Sequence, residues 1–179
     1  MLHTGYLFGT DSRAPVDPSG RSYAMQGATI GIGGAMRVHL WKLLRVGFEG
    51  YVSTLHSALS TQHAVLQSGS YLRTGCGGLN ADVCWRHPKA WPHIGASIGG
   101  GAVRALYIVR GSQNDWVPEP ETYVNSQSFG YVSPYVGCDW CATPKLHLTC
   151  RFDWMLAFAH HELVLPTGPR LYLGLMFTH

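Results

Sequence analysis

The chain has 179 residues and a formal charge of +3, with charged side chains at only 13% of its positions. Soluble domains average about 25% charged residues, and a soluble β-domain needs them on its outer face, so this composition argues against a water-facing surface. No basic cluster marks a nucleic-acid footprint, and no apolar run approaches the ~20 residues of a spanning helix, so any membrane-crossing segment has to be a strand.

Residues 3–9 read as a first strand. They follow Met1 with no signal sequence, so an outer-membrane reading expects the numbering to start at a mature or recombinant end. A polar loop (11–22) leads to a hairpin, 27–56. Before its turn Ile30, Ile32, Met36, Val38 and Leu40 share one parity; after it Val46, Phe48 and Val52 do the same. A side-chain period of two over this length means strand. With Lys42–Leu44 as a three-residue loop, Trp41 faces Arg45 and Arg37 faces Glu49. A second long connection covers 57–70. Strand four runs 71–86, with Leu79, Ala81, Val83 and Trp85 alternating with Asn80, Asp82, Cys84 and Arg86. After the turn HPKAW comes strand five, 93–109, then a third long loop, 112–128, rich in breakers. Strand six (129–142) turns at Thr143-Pro144-Lys145 into strand seven (146–158). A last loop, HHELVLPTG, precedes strand eight, PRLYLGLMF.

Long loops thus follow strands one, three, five and seven, and short turns follow two, four and six. In an up-and-down barrel this sorts every long loop to one end, an asymmetry of transmembrane barrels that a soluble sandwich has no reason to show. The three lysines, Lys42, Lys89 and Lys145, fall one in each short turn, while six of the ten acids lie in the long loops. Trp41, Trp85, Trp91 and Trp140 cluster near the turn end and Tyr23, Tyr71, Tyr107 and Tyr131 near the loop end, which reads as two aromatic belts around an apolar band. The 22 glycines suit a narrow lumen. The expected fold is all-β: a single domain, 1–179, forming an eight-stranded antiparallel up-and-down transmembrane β-barrel.

This architecture resembles the small eight-stranded outer-membrane barrels of the OmpA, OmpX and OmpW class. The last strand carries the nearest thing to a motif: Tyr172, Gly174 and Phe177 match that family's C-terminal assembly signal, with Leu171, Leu173 and Leu175 on the lipid parity. His179 stands where a terminal Phe or Trp is usual. The resemblance implies a bacterial outer-membrane location, with the lipid bilayer and the outer-membrane assembly machinery as partners.

Three constellations could carry chemistry. The first is an inward charge set: Arg37, Arg45, Glu49, Asp82, Arg86, Asp139, Arg151, Asp153 and Arg170. An eight-stranded lumen is just wide enough for side chains to fill, and isolated buried charges are costly, so these groups are expected to pair into a plug rather than line a gated pore. Arg104 falls on the lipid parity unless a bulge at Gly99–Gly101 returns it to the lumen. The second is His160, His161 and Glu162 in the last loop, a base pair without a nucleophile at any fixed spacing. The third is Cys138-x-x-Cys141 with Cys150. Residues three apart on a strand face opposite sides, so the pair cannot close on one metal. The turn at Thr143–Lys145 sets Ala142 opposite Leu146 and Cys138 opposite Cys150. With five cysteines, at least one is unpaired within the chain.

The expected function is that of a non-enzymatic outer-membrane barrel, with no cofactor and no metal. Its surface loops would serve adhesion, membrane integrity, or binding of a host or small-molecule ligand. A narrow channel for small or apolar solutes, a rim-located enzyme and a soluble lipocalin-like barrel are the alternatives.

Overall fold

The computed structural model describes residues 1–7, 26–56, 69–109, 121–159 and 165–177. Eight strands form there: β1 (Leu2–Leu7), β2 (Gly27–His39), β3 (Leu44–His56), β4 (Tyr71–Cys84), β5 (Ala90–Val109), β6 (Glu121–Thr143), β7 (Leu146–Phe158) and β8 (Gly168–Phe177). Each pairs antiparallel with the next, and β8 returns to β1 through pairs such as His3 with Tyr172, which closes the barrel. Closure leaves no free sheet edge where all strands are present. β1 is the shortest strand: it covers Gly27–Ile32 of β2 and Arg170–Leu173 of β8. The Met1 amine then donates to the Gly33 carbonyl at 2.9 Å.

The two faces sort oppositely to a soluble protein. Ile32 (64% exposed), Phe48 (62%), Leu79 (54%) and Ile98 (59%) point outward, as do Val136, Phe152 and Leu173. Inside are Arg45, Glu49, Asp82, Asp139, Arg151 and Asp153, all buried. The lumen is tight enough that glycine is required beneath some of its rings: a Cβ at Gly33 would collide with Tyr51, and one at Gly137 with His93.

The structure corrects four details of the sequence reading. In the β2–β3 hairpin the Leu40 amide donates to the Leu44 carbonyl at 3.0 Å, so the loop is Trp41–Leu43. Arg37 therefore faces Gly47, and Glu49 faces Ala35. The slip is two residues, which keeps every side chain on its face while changing its neighbours. Second, β6 begins at Glu121, so much of the expected 112–128 loop is strand. Ile108 pairs with Thr122 and Tyr107 with Tyr123, residues that favour strand, and the breaker run stops at Pro120. Third, Tyr107 and Tyr131 belong to no outer belt; they lie on the inward parity and are buried in the lumen. Among the described residues, the loop-side aromatics that do face outward are Tyr6, Tyr71, Trp154 and Phe158, while Trp41, Trp85 and Trp140 remain outward at the turn end. Trp91 turns into the mouth, edge-on to His147 with ring centroids 4.5 Å apart. Fourth, Thr143 rather than Ala142 opposes Leu146, because the register shifts between Cys141 and Thr143. No such shift occurs at Gly99–Gly101, so Arg104 faces outward. Tyr23, the loop histidines His160 and His161, and Glu162 lie outside the described residues.

Cys138 lies directly opposite Cys150 on the outer face, whereas Cys141 points inward, its Sγ 3.9 Å from His147 Nδ1. Opposed strand residues have Cβ atoms about 4.5–5.5 Å apart, within reach of a strained disulfide. Mild oxidation and peptide mapping should therefore link Cys138 to Cys150 ahead of any pair containing Cys141. A dominant Cys141–Cys150 link contradicts this register.

Candidate functional site in the lumen

Strands β2 to β8 each send polar side chains to the same level of the lumen, and the outcome is a linked set of ion pairs. Arg45 of β3 donates from Nε to Asp82 Oδ1 at 2.6 Å and from a terminal nitrogen to Asp139 Oδ2 at 2.8 Å. Asp82 also accepts from the Tyr135 hydroxyl at 3.0 Å, and Asp139 from Thr149 at 2.6 Å. The ring of His93 adds a contact 3.5 Å from Asp139.

A second group centres on Arg151 of β7. Its guanidinium donates to both Glu49 oxygens, to Asp153 Oδ2 at 3.0 Å and to Ser97 at 3.2 Å. It also sits over Tyr135, with its central carbon 3.7 Å from the ring centre, a cation–π contact in a desolvated setting. Arg170 completes the chain. It donates to both Asp153 oxygens, at 2.8 and 2.9 Å, and to Ser133 at 3.2 Å. The aromatic rings of His3, Tyr51 and Tyr172 pack together beside it, with centroids 4.8–5.6 Å apart.

Of the nine charged residues expected inside, the structure brings eight to the lumen. Four arginines (37, 45, 151 and 170) meet four acids (Glu49, Asp82, Asp139 and Asp153). Arg37 is the loosest member: its nearest carboxylate oxygen is Asp82 Oδ2 at 3.8 Å, and two of its buried guanidinium nitrogens have no hydrogen-bond partner. Arg86 does not join them. β4 ends at Cys84, and Arg86 lies exposed at the turn-end mouth, bonded to His39 Nε2 at 3.2 Å and over the Trp91 ring. The C-terminal triplet separates by face: Tyr172 is buried in the lumen, Gly174 is half-buried on the same parity, and Phe177 points outward.

Sequence reasoning missed the other storey of the lumen. Toward the loop end it is filled by Leu7, Leu55, Leu72, Val103, Ala105, Tyr107, Phe129, Tyr131 and Met155. The signal was present in the parity of Val103, Ala105 and Tyr107, which alternate with outward Arg104 and Leu106. Tyr135, which bridges both halves of the charge network, could have been found from its parity with Asp139. Among the described residues no group of His, Cys, Asp and Glu is arranged to hold a metal.

No family model matches the chain, and no curated protein matches it. Among solved structures it is similar to Ail, the attachment invasion locus protein of Yersinia pestis, at 10% identity and a TM-score of 0.49, over 98% of this chain and 95% of that one. The same protein in complex with the heparin analogue sucrose octasulfate gives 12% identity and a TM-score of 0.44 over the same shares. At such values the likeness concerns the fold alone. The strand pairing itself gives a closed, eight-stranded, up-and-down antiparallel barrel.

The network sets a measurable order of couplings. Removing one member of a buried pair typically costs about 3–5 kcal/mol, because its partner is stranded. Arg151→Ala and Glu49→Ala should each fall in that range, and the double variant should cost less than their sum by about 1–3 kcal/mol in urea unfolding. The coupling of Glu49 with Arg37 should be clearly smaller. A larger Arg37–Glu49 coupling contradicts the observed register.

Proposed function

We propose that the chain is a non-enzymatic outer-membrane β-barrel whose lumen is closed and whose work is done at the loop end, by binding or adhesion or by supporting membrane integrity. One observation carries this reading: outward side chains are predominantly apolar on all eight strands, while four arginines and four acids are gathered inside. In water that arrangement would expose the greasy face; in a bilayer that cost disappears, and the buried charges are offset by pairing with one another. Strands of 13 to 23 residues from β2 to β7 exceed the ~9–11 that a tilted strand needs to cross.

The filling of the lumen supports closure over conduction. A polar solute entering from the turn end meets the Arg45 and Arg151 ion pairs, and beyond them the apolar cluster around Tyr107 and Tyr131. The same filling argues against a lipocalin-like cavity for an apolar ligand. The four long loop-side connections, which fall mainly outside the described residues, are the place for a host or small-molecule ligand. Assembly through the outer-membrane machinery, with Tyr172, Gly174 and Phe177 as the signal, belongs to the same proposal.

The test is folding and conductance together. Folded protein should require detergent or bilayer, migrate heat-modifiably on a gel, and give no steady conductance in a planar bilayer. Phe48→Arg should destabilise it in vesicles by about 2–4 kcal/mol if that position is near the midplane. Folding in plain buffer would remove the membrane reading, and a steady wild-type conductance would remove the plug.

A further inference from the structure

The outer face is apolar over most of its area, and among the described strand residues its two charged exceptions lie side by side. Arg73 of β4 and Arg104 of β5 are direct cross-strand partners, and both side chains are exposed on the outside of the barrel. Thr54 of β3 pairs with Arg73 on one side, and exposed Ser126 of β6 pairs with Arg104 on the other. Four neighbouring strands therefore present hydroxyl, guanidinium, guanidinium and hydroxyl along a single rung. At ~4.8 Å per strand the rung is about 14 Å wide. Neither arginine has an ion pair or a hydrogen bond among the described residues.

Two like charges directly opposite each other on a sheet repel. An arginine facing lipid is costly at the midplane and tolerated near the interface. The position of this pair resolves the second cost. Below Arg73 the outward residues of β4 are Gly75, Gly77, Leu79, Ala81 and Val83, and then Trp85 at the turn-end belt. The twelve steps from Arg73 to Trp85, at ~3.3 Å each and tilted ~45°, rise about 28 Å, close to the ~25 Å of an outer-membrane apolar band. The guanidiniums therefore sit at the upper edge of the band, at headgroup level on the loop side. Directly below them the outward residues are small, with Gly75 paired to Ala102 and Gly77 to Gly100.

The repulsion is resolved by an anion that accepts from both. Resting on the membrane reading above, we propose that the Thr54–Arg73–Arg104–Ser126 rung is a docking site for the phosphate-bearing headgroup of an outer-leaflet lipid. The planar guanidinium forks bind phosphate oxygens, the two hydroxyls flank them, and the acyl chains descend along the small residues beneath. Charge complementarity selects this occupant: a rung of two unpaired cations flanked by two hydroxyls able to donate, with no acid on it and apolar surface beneath, suits an amphiphile with an anionic head.

The test uses the full chain in phosphatidylcholine nanodiscs carrying a minor fraction of a bisphosphorylated diglucosamine lipid, or of the same lipid with its phosphates removed. Native mass spectrometry reads the lipid that stays bound on release. Wild-type protein should retain the phosphorylated lipid and not its dephosphorylated form. Arg73→Gln/Arg104→Gln should retain at least about tenfold less, as the loss of two charge-assisted bonds implies. Millimolar inorganic phosphate should not displace the lipid. Equal retention by wild type and the double variant overturns the proposal, as does equal retention of the dephosphorylated lipid or displacement by inorganic phosphate. The comparison of the two lipids on wild-type protein stands even if the double variant fails to fold. Heat-modifiable migration in discs lacking the probe checks insertion separately, so failure to insert removes the membrane reading rather than this site alone.

Discussion

Everything in this molecule follows from pairing the backbone. Inside hydrocarbon an unpaired N–H or C=O has no water to turn to, so a strand can cross only as part of a closed ladder. The return of β8 to β1 provides that closure, and with eight strands it leaves an interior just wide enough for side chains. The period of two then assigns every residue of the wall either to lipid or to the lumen.

A narrow interior makes the charge inventory a structural matter. Four arginines placed there without acids would each strand a charge; set against Glu49, Asp82, Asp139 and Asp153, Arg45, Arg151 and Arg170 are hydrogen-bonded, and further donors reach Ser97 and Ser133, while Arg37 stops 3.8 Å from Asp82. Tyr135 joins the two halves, bonded to Asp82 and with the Arg151 guanidinium carbon 3.7 Å from its ring centre. Such a network is worth little as net stability, since desolvation offsets most of the attraction, but any incomplete version of it is strongly disfavoured. It therefore fixes which strand faces lie together across the barrel. The apolar storey around Tyr107 and Tyr131 contributes differently, by packing in the loop-side half.

The faces of the strands were legible in the sequence because parity survives local errors. The β2–β3 register is a case in point: the loop is Trp41–Leu43 rather than Lys42–Leu44, and the two-residue slip left Arg37 and Glu49 inside while separating them as partners. Partner identity was not legible, because Arg151 reaches Glu49 across the lumen between strands that are not neighbours in the sheet. Nor was the fate of Arg86, which depends on where β4 stops rather than on its parity. Tyr107 and Tyr131 were misassigned because height along the strand was weighed before the side on which they fall. Arg104 shows the opposite case: strict alternation placed it outward, and the regular pairing through Gly99–Gly101 keeps it there.

The central claim is that the outer face meets lipid and the inner face meets neither lipid nor bulk water. Single nitroxide labels along β3 and β4 in a cysteine-free background, reconstituted in bilayers, test it most directly through their accessibility to oxygen and to a water-soluble nickel reagent. Labels at Phe48, Val52, Leu79 and Val83 should be open to oxygen and shielded from nickel, whereas labels at the inward positions Thr74 and Asn80 should be shielded from both. Nickel accessibility at Phe48 and Leu79 equal to that of a label in a surface turn such as Lys42 would contradict the account.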